Sequence, residues 1–322
     1  MAERDAASGP TARVEGLSPA KRALLESLAR RRTTGATGPP VAPTGGLVRL
    51  GGGAEDSGDP VVLVHPIGGG VFCYAELSRL VPGGREVLGL AADGLLRGAE
   101  PPSVAELADH YLGLLRDRGV DRPAVLGGWS FGGVVAYEMA RRLAQDGDAL
   151  PVVLVDSAPW PPEAGAWSRA TTLEMFIEDL LGSGGVTVER VPVEATVWQL
   201  PVPDALATAA RELTAQGYDL GLPLADMTDR YTVFTNATTA MQRHRPRPHS
   251  GPVTLLHATD SQADPRAWTD LTPDTTPTVV RVPGDHFSVL RPPAVHRVAE
   301  ALGHAAGSPA TPSTPLQHRR TR

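Results

Sequence analysis

A single cysteine, Cys73, stands in a chain of 322 residues. That excludes an internal disulfide framework and a zinc site built from several thiolates. Lysine is almost missing as well: of 30 basic residues only Lys21 is a lysine, and the Arg skew, with 35 Gly and 31 Pro, reflects a GC-rich genome rather than a physical adaptation. No run of 18 apolar residues occurs, and Met1-Ala2-Glu3-Arg4-Asp5 lacks the basic-then-apolar layout of a secretory signal. No membrane span or export is therefore expected, and a soluble cytoplasmic protein is the default. A net charge of −6 leaves no broad basic face for nucleic acid. No His/Asp/Glu cluster has metal-ligand spacing, so neither metal nor cofactor is expected. What is present, 41% apolar and 20% charged residues, suffices for the core of one large α/β domain or two ordinary ones.

The chain divides into three. Residues 1–46 hold one amphipathic stretch, Ser18 to Arg32, with Leu17, Leu24, Leu25 and Leu28 on one stripe. A Thr/Gly/Pro linker follows, so this segment reads as a docking or interdomain element. From Leu47 to about Ala306, apolar strands alternate with helices. The strands are expected at Val61–His65, Glu86–Leu90, Ala124–Gly128, Pro151–Val155, Val253–Leu256 and Thr278–Val282. Helices are expected from the Ser103-Val104-Ala105-Glu106 capping box to Arg118, from Gly132 to Gln145 and from Pro293 to His304. This alternation predicts an α/β fold with a mostly parallel sheet covered on both faces. Between about 160 and 245 only helical patterns occur, together with Trp160, Trp167 and Trp198. Such an insertion reads as a cap over the C-terminal sheet edge, where open α/β folds bind ligands. The tail, 307–322, is Ser/Thr/Pro-rich and expected to be disordered.

Gly128-Trp129-Ser130-Phe131-Gly132 fits G-x-S-x-G between an apolar strand and a helix. Glycine flanks are required because a Cβ in so tight a turn collides with backbone; the turn lifts the Ser130 hydroxyl above the sheet edge and aims the Phe131 amide at whatever Ser130 attacks. A serine hydroxyl needs a base to take its proton. His286, in Gly284-Asp285-His286-Phe287 after the last strand, occupies the expected place, with His257 as its rival. The acid is open between Asp156, at the end of the strand after the elbow helix, and Asp260 or Asp264, one strand later. His65-Pro66-Ile67-Gly68-Gly69 follows the first apolar strand and suits a second oxyanion donor, the Ile67 amide. Cys73 reads as a packed small residue.

These segments together resemble the thioesterase domains of nonribosomal peptide and polyketide synthetases. The likeness rests on His65-Pro66-Ile67-Gly68-Gly69-Gly70, Gly128-Trp129-Ser130-Phe131-Gly132-Gly133, Val155-Asp156-Ser157 and Gly284-Asp285-His286, and extends to Val233-Phe234-Thr235-Asn236 at the end of the insertion. The resemblance implies an α/β-hydrolase core with a mobile helical lid. It further implies an acyl or peptidyl carrier protein as partner, whose phosphopantetheine thioester is transferred to Ser130 and released to water or to an internal nucleophile as a macrocycle. By position it makes His286 the base, Asp156 the acid and Ile67 and Phe131 the oxyanion donors. Trp160, Trp167 and Trp198 become candidates for substrate binding. Leu17 to Arg32 is similar to the helices linking synthetase domains, a docking site in a chain acting in trans. An editing thioesterase, a generic esterase or lactonase on free small molecules, and a non-enzymatic docking module are the competing readings.

Overall fold

The structure is a computed structural model that describes residues 46–307, apart from 54–57, 94–95, 146, 162, 219 and 221, together with 311–312. The helix and docking element expected at 17–32, its linker and most of the 307–322 tail lie outside the described residues. Within the tail, Thr311–Pro312 pairs with Asp148–Ala149 as a two-residue antiparallel ladder.

Seven strands form one sheet: β1 Leu47–Gly51, β2 Val61–Val64, β3 Val87–Leu90, β4 Val125–Trp129, β5 Val152–Val155, β6 Val253–Ala258 and β7 Thr278–Val282. The spatial order is β1-β3-β2-β4-β5-β6-β7, with β1 antiparallel to β3 and every other pairing parallel. The continuous apolar runs are explained by two-sided burial. Along β2, Val62 and Val64 enter one core and Val61 and Leu63 the other, all four fully buried. One core is closed by α2 (Val104–Asp117) and α3 (Phe131–Gln145); the other by the short α1 (Leu77–Leu80) and by α7 (Ala294–Gly307). The Ser103/Glu106 capping box forms as expected, Ser103 Oγ accepting from the Glu106 amide at 3.1 Å and Glu106 from the Ser103 amide at 2.7 Å.

The insertion between β5 and β6 is helical, as its sequence indicated: α4 (Arg169–Gly184), α5 (Val202–Ala215) and α6 (Leu224–Arg243). Two ties bring it to the sheet's C-terminal edge. Asn236 of α6 donates from Nδ2 to the Leu96 and Gly98 carbonyls, both at 3.0 Å. At the end of α4, Arg291 donates to the Gly182 carbonyl at 2.5 Å. The ring of Phe287 packs so close to Gly182 that an added Cβ would lie 2.6 Å from it.

Candidate active site

The chain turns from β4 into α3 at Ser130, which has φ 57°. A non-glycine residue there carries roughly 1–3 kcal/mol of strain, and the surroundings hold it in place. Ser130 N–H donates to the Val155 carbonyl at 3.0 Å, and Gly133 N–H to the Ser130 carbonyl at 3.1 Å. The flanking glycines are compulsory by contact. A Cβ on Gly128 would lie 2.7 Å from the Gly133 nitrogen, and one on Gly132 would lie 2.7 Å from the His65 carbonyl oxygen and nearer still to that of Val64. The start of α3 is thus wedged against the end of β2.

Where β2 and β4 diverge beyond their last paired residues, Val64 and Gly128, the fully buried Tyr74 bridges the gap. Its hydroxyl donates to the Val64 carbonyl at 2.7 Å and accepts the Trp129 amide at 2.8 Å. His65, also fully buried, lies between the Pro66 carbonyl (2.6 Å from Nδ1) and the Tyr111 hydroxyl (2.7 Å from Nε2). Burial pushes this imidazole down to about 4, so at neutral pH it is uncharged: Nδ1–H donates to Pro66 and Nε2 accepts from Tyr111. The Ile67 amide thus follows the tied end of β2, against which the head of α3, with the Phe131 amide, is wedged. Neither amide is committed to a backbone hydrogen bond among the described residues, as the first N–H of a helix must be.

Asp156 follows β5 with φ 41° and only 2% exposed. Its Oδ2 is 2.6 Å from His286 Nδ1, and its Oδ1 accepts the Ala258 amide at 3.1 Å. Burial pushes the carboxyl up, but the bond and charge of His286, with Ala258 and Ser261, outweigh it and hold Asp156 below the usual carboxylate range. His286 sits on a loop fixed by Asp285, whose Oδ1 accepts the Phe287 and Ser288 amides at 2.9 and 2.7 Å. Trp129, next to Ser130, donates from its indole to the His286 carbonyl at 2.9 Å and lays its ring 5.1 Å from the imidazole. Ser130 and His286 are not hydrogen-bonded to each other among the described residues. Catalytic hydrogen bonds of this type commonly tighten only when substrate is bound.

The other acids fall outside this assembly. Asp264 ion-pairs with Arg266 at 3.0 Å and caps its amide, and Asp260 accepts from Thr259; both serve turns. His257 is 3.6 Å from Asp156 Oδ1, so the rival histidine shares the acid while His286 takes the shorter contact. Cys73 is a thiol that burial and the nearby Asp179 push up to about 12, far from a thiolate nucleophile. The tryptophans separate. Trp198 is 4% exposed, inside the core of the helical insertion, with an unpartnered indole N–H. Trp160 and Trp167 meet edge to face at 5.3 Å, and Trp167 lines a cavity of about 540 Å³ with Arg169, Tyr231, Thr235 and Gln242. Sequence reasoning cited His65 only as part of the oxyanion loop, and missed the bonds of His65 and Tyr74 and the α4 residue Asp179, whose carboxylate lies over Gly68. Among the described residues no group of three or more His, Cys, Asp or Glu is placed to hold a metal, and no helix is long and apolar enough to cross a membrane.

Comparison with known proteins is consistent with this layout. The thioesterase domain family model matches residues 59–305. Thioesterase frbE of Dothideomycetidae sp. is 30% identical over 171 residues, 52% of this chain and 55% of that protein. Nonribosomal peptide synthetase btyA of Aspergillus terreus is 33% identical over 147 residues, 41% of this chain and 16% of the synthetase. The match therefore spans about half the length of the first of these relatives and far less of the second. Among solved structures, the four-domain nonribosomal peptide synthetase holo-AB3403, bound to AMP and glycine, aligns with a TM-score of 0.72 and 28% identity over 88% of this chain and 21% of that one. The NocB thioesterase domain, in covalent complex with a fluorophosphonate nocardicin G analogue, aligns at 0.57 and 23% identity over 81% of this chain and 100% of that one, a likeness of fold.

Proposed function

Because the chain belongs to the thioesterase domain family, we propose that it is a serine thioesterase acting through an acyl-serine intermediate. Its substrate class is an acyl or peptidyl chain held as a phosphopantetheine thioester on a carrier protein. The observations that carry the reading are Ser130 held at φ 57° on the turn after β4 and the His286 imidazole, its Nδ1 2.6 Å from the buried Asp156 carboxylate and its ring 5.1 Å from that of Trp129, the residue before Ser130. In the proposed reaction His286 takes the Ser130 proton through Nε2 as Oγ attacks the thioester carbonyl, while Asp156 fixes the tautomer and stabilises the imidazolium. The negative oxygen of the tetrahedral intermediate accepts from the Ile67 and Phe131 amides. The pantetheine thiolate leaves with the proton from His286, and water or a nucleophile within the acyl chain then cleaves the ester by the same route. The helices α4 to α6 over the sheet edge support a cover that excludes bulk water, which favours release of a finished chain, as acid or macrocycle, over editing.

The test is turnover of acyl-pantetheine thioesters by the parent and by Ser130→Ala, with fluorophosphonate labelling and intact-mass detection of the acyl-enzyme. Loss of turnover and of label in the variant is expected; undiminished turnover refutes the assignment. A kcat/KM that rises when the same acyl group is carried by a holo carrier protein separates this reading from an esterase of free small molecules.

A further inference from the structure

In the reading just given, α4 belongs to the cover over the sheet edge, and it carries a side chain that no step of the mechanism uses. Asp179 extends its carboxylate over the oxyanion loop, so that a Cβ on Gly68 would lie 2.9 Å from its Oδ2. It is partly buried, and among the described residues it has neither a hydrogen bond nor an ion pair. The charged groups that face it are few: His286 across the cleft, Arg230 of α6, and the like-charged Glu178 beside it. Arg230 lines a small cavity with Gly68, Gly69, Gly70 and Arg97 and does not close on Asp179. Burial pushes the Asp179 carboxyl up to about 6, against the pull of His286 and Arg230; burial and Glu174 likewise raise Glu178. A carboxylate withdrawn from water without a partner costs free energy that a ligand can return.

We propose that Asp179 is a specificity-determining residue that accepts an ammonium group on the acyl chain, so that the preferred substrate is an aminoacyl thioester, or a peptidyl thioester whose last residue carries a side-chain amine close to the reacting carbonyl. Position fixes how close. Gly68 directly follows Ile67, the residue whose amide faces the carbonyl oxygen, and neighbouring Cα atoms are about 3.8 Å apart. An amine on the second or third carbon of the acyl chain therefore comes within reach of Oδ2, whereas a distant one does not. Charge argues for a cation over a neutral donor, because His286 and Arg230 act on the adjacent carboxyls Glu178 and Asp179 only from beyond ion-pair distance, and a hydroxyl or amide would add no charge to them.

This inference rests on the thioesterase reading, and two measurements keep the two apart. The first is kcat/KM of the full chain for four pantetheine thioesters: 2-aminopropanoyl, 3-aminopropanoyl, 2-hydroxypropanoyl and propanoyl. At least one aminoacyl substrate should exceed both neutral ones by about 10- to 100-fold, the range of a hydrogen bond to a charged group. In Asp179→Asn that ratio should fall to within about threefold of unity, and in Asp179→Glu it should be partly restored. The second is calorimetric binding of the stable amide analogues of the same four compounds, which reads the preference without chemistry. Equal handling of amino and hydroxy substrates by the parent, or a ratio that survives in Asp179→Asn, overturns the inference. Absence of turnover with all four strikes at the thioesterase reading instead, and the binding preference then decides the role of Asp179.

Discussion

Replacing Gly132 with alanine sets two calculable effects against each other. Gly132 lies in the first turn of α3, where alanine is the better helix former by about 1 kcal/mol; on propensity alone the variant should be stabilised. The added Cβ, however, would lie 2.7 Å from the His65 carbonyl oxygen and closer to that of Val64. An ordinary carbon–oxygen contact is about 3.3 Å, so the helix start and the end of β2 must separate by about 0.6 Å or more. Both neighbours are backbone, with no rotamer to yield, and overpacking of this kind costs about 1–3 kcal/mol or more. Two backbone oxygens are struck at once, so the cost lies in the upper part of that range, and the net loss of about 1–2 kcal/mol lowers Tm by roughly 2–8 °C for a domain of this size. The same displacement moves the Phe131 amide away from the Ile67 amide, since one begins α3 and the other follows β2. A misplacement approaching 1 Å costs up to about 100-fold in rate. Scanning calorimetry and the second-order rate of fluorophosphonate labelling check both limbs. A variant as stable as its parent that labels within threefold of it refutes the wedge.

Three further outcomes are expected. Asp156→Asn retains an acceptor for the Ala258 amide but offers His286 the wrong partner for its Nδ1; acyl-pantetheine turnover should fall about 10³- to 10⁴-fold with KM little changed, and a drop under tenfold places the acid elsewhere. Tyr74→Phe strands the buried Trp129 N–H and Val64 carbonyl, and chemical denaturation should register a loss of about 1–3 kcal/mol; an unchanged midpoint shows that water replaces the phenol. Burial raises the Asp179 carboxyl from 3.8 to about 6 on folding, which adds stability that is complete below pH 4 and lost as the pH climbs through 6. Asp179→Asn should therefore melt with its parent near pH 4 and above it at pH 8, by about 1–3 kcal/mol; a Tm difference that does not vary with pH refutes the raised value.

Much of the scaffold could be read from local pattern. Val61–Val64, Val125–Trp129 and Val152–Val155 announce themselves as apolar runs because two cores bury both faces of each strand, and the Ser103/Glu106 box is legible because a cap is a local bond. Leu47–Gly51 escaped notice: as an antiparallel edge strand it is only half buried, and its LVRLG sequence has no continuous run. In the site, Gly128-Trp129-Ser130-Phe131-Gly132 was legible because its chemistry lies in consecutive residues. The choice among Asp156, Asp260 and Asp264 was open to residue reasoning, since three strand-end aspartates look alike until the fold places one of them 2.6 Å from His286. The bracing roles of Tyr74 and His65 were illegible because their bonds run to Trp129, 55 residues away, and Tyr111, 46 residues away. Asp179 sits in an unremarkable helical pattern, and only the register of α4 against Gly68 sets it apart.

The pair of buried rings that frame the two uncommitted amides has an operational consequence. Tyr74 is held well above its ordinary range and His65 down to about 4, both by burial, so neither changes its charge between roughly pH 5 and 9. The framework next to the proposed oxyanion donors thus keeps its charge across that interval. A rate profile recorded there carries no contribution from these two framework groups, and a limb that Asp179→Asn removes belongs to Asp179.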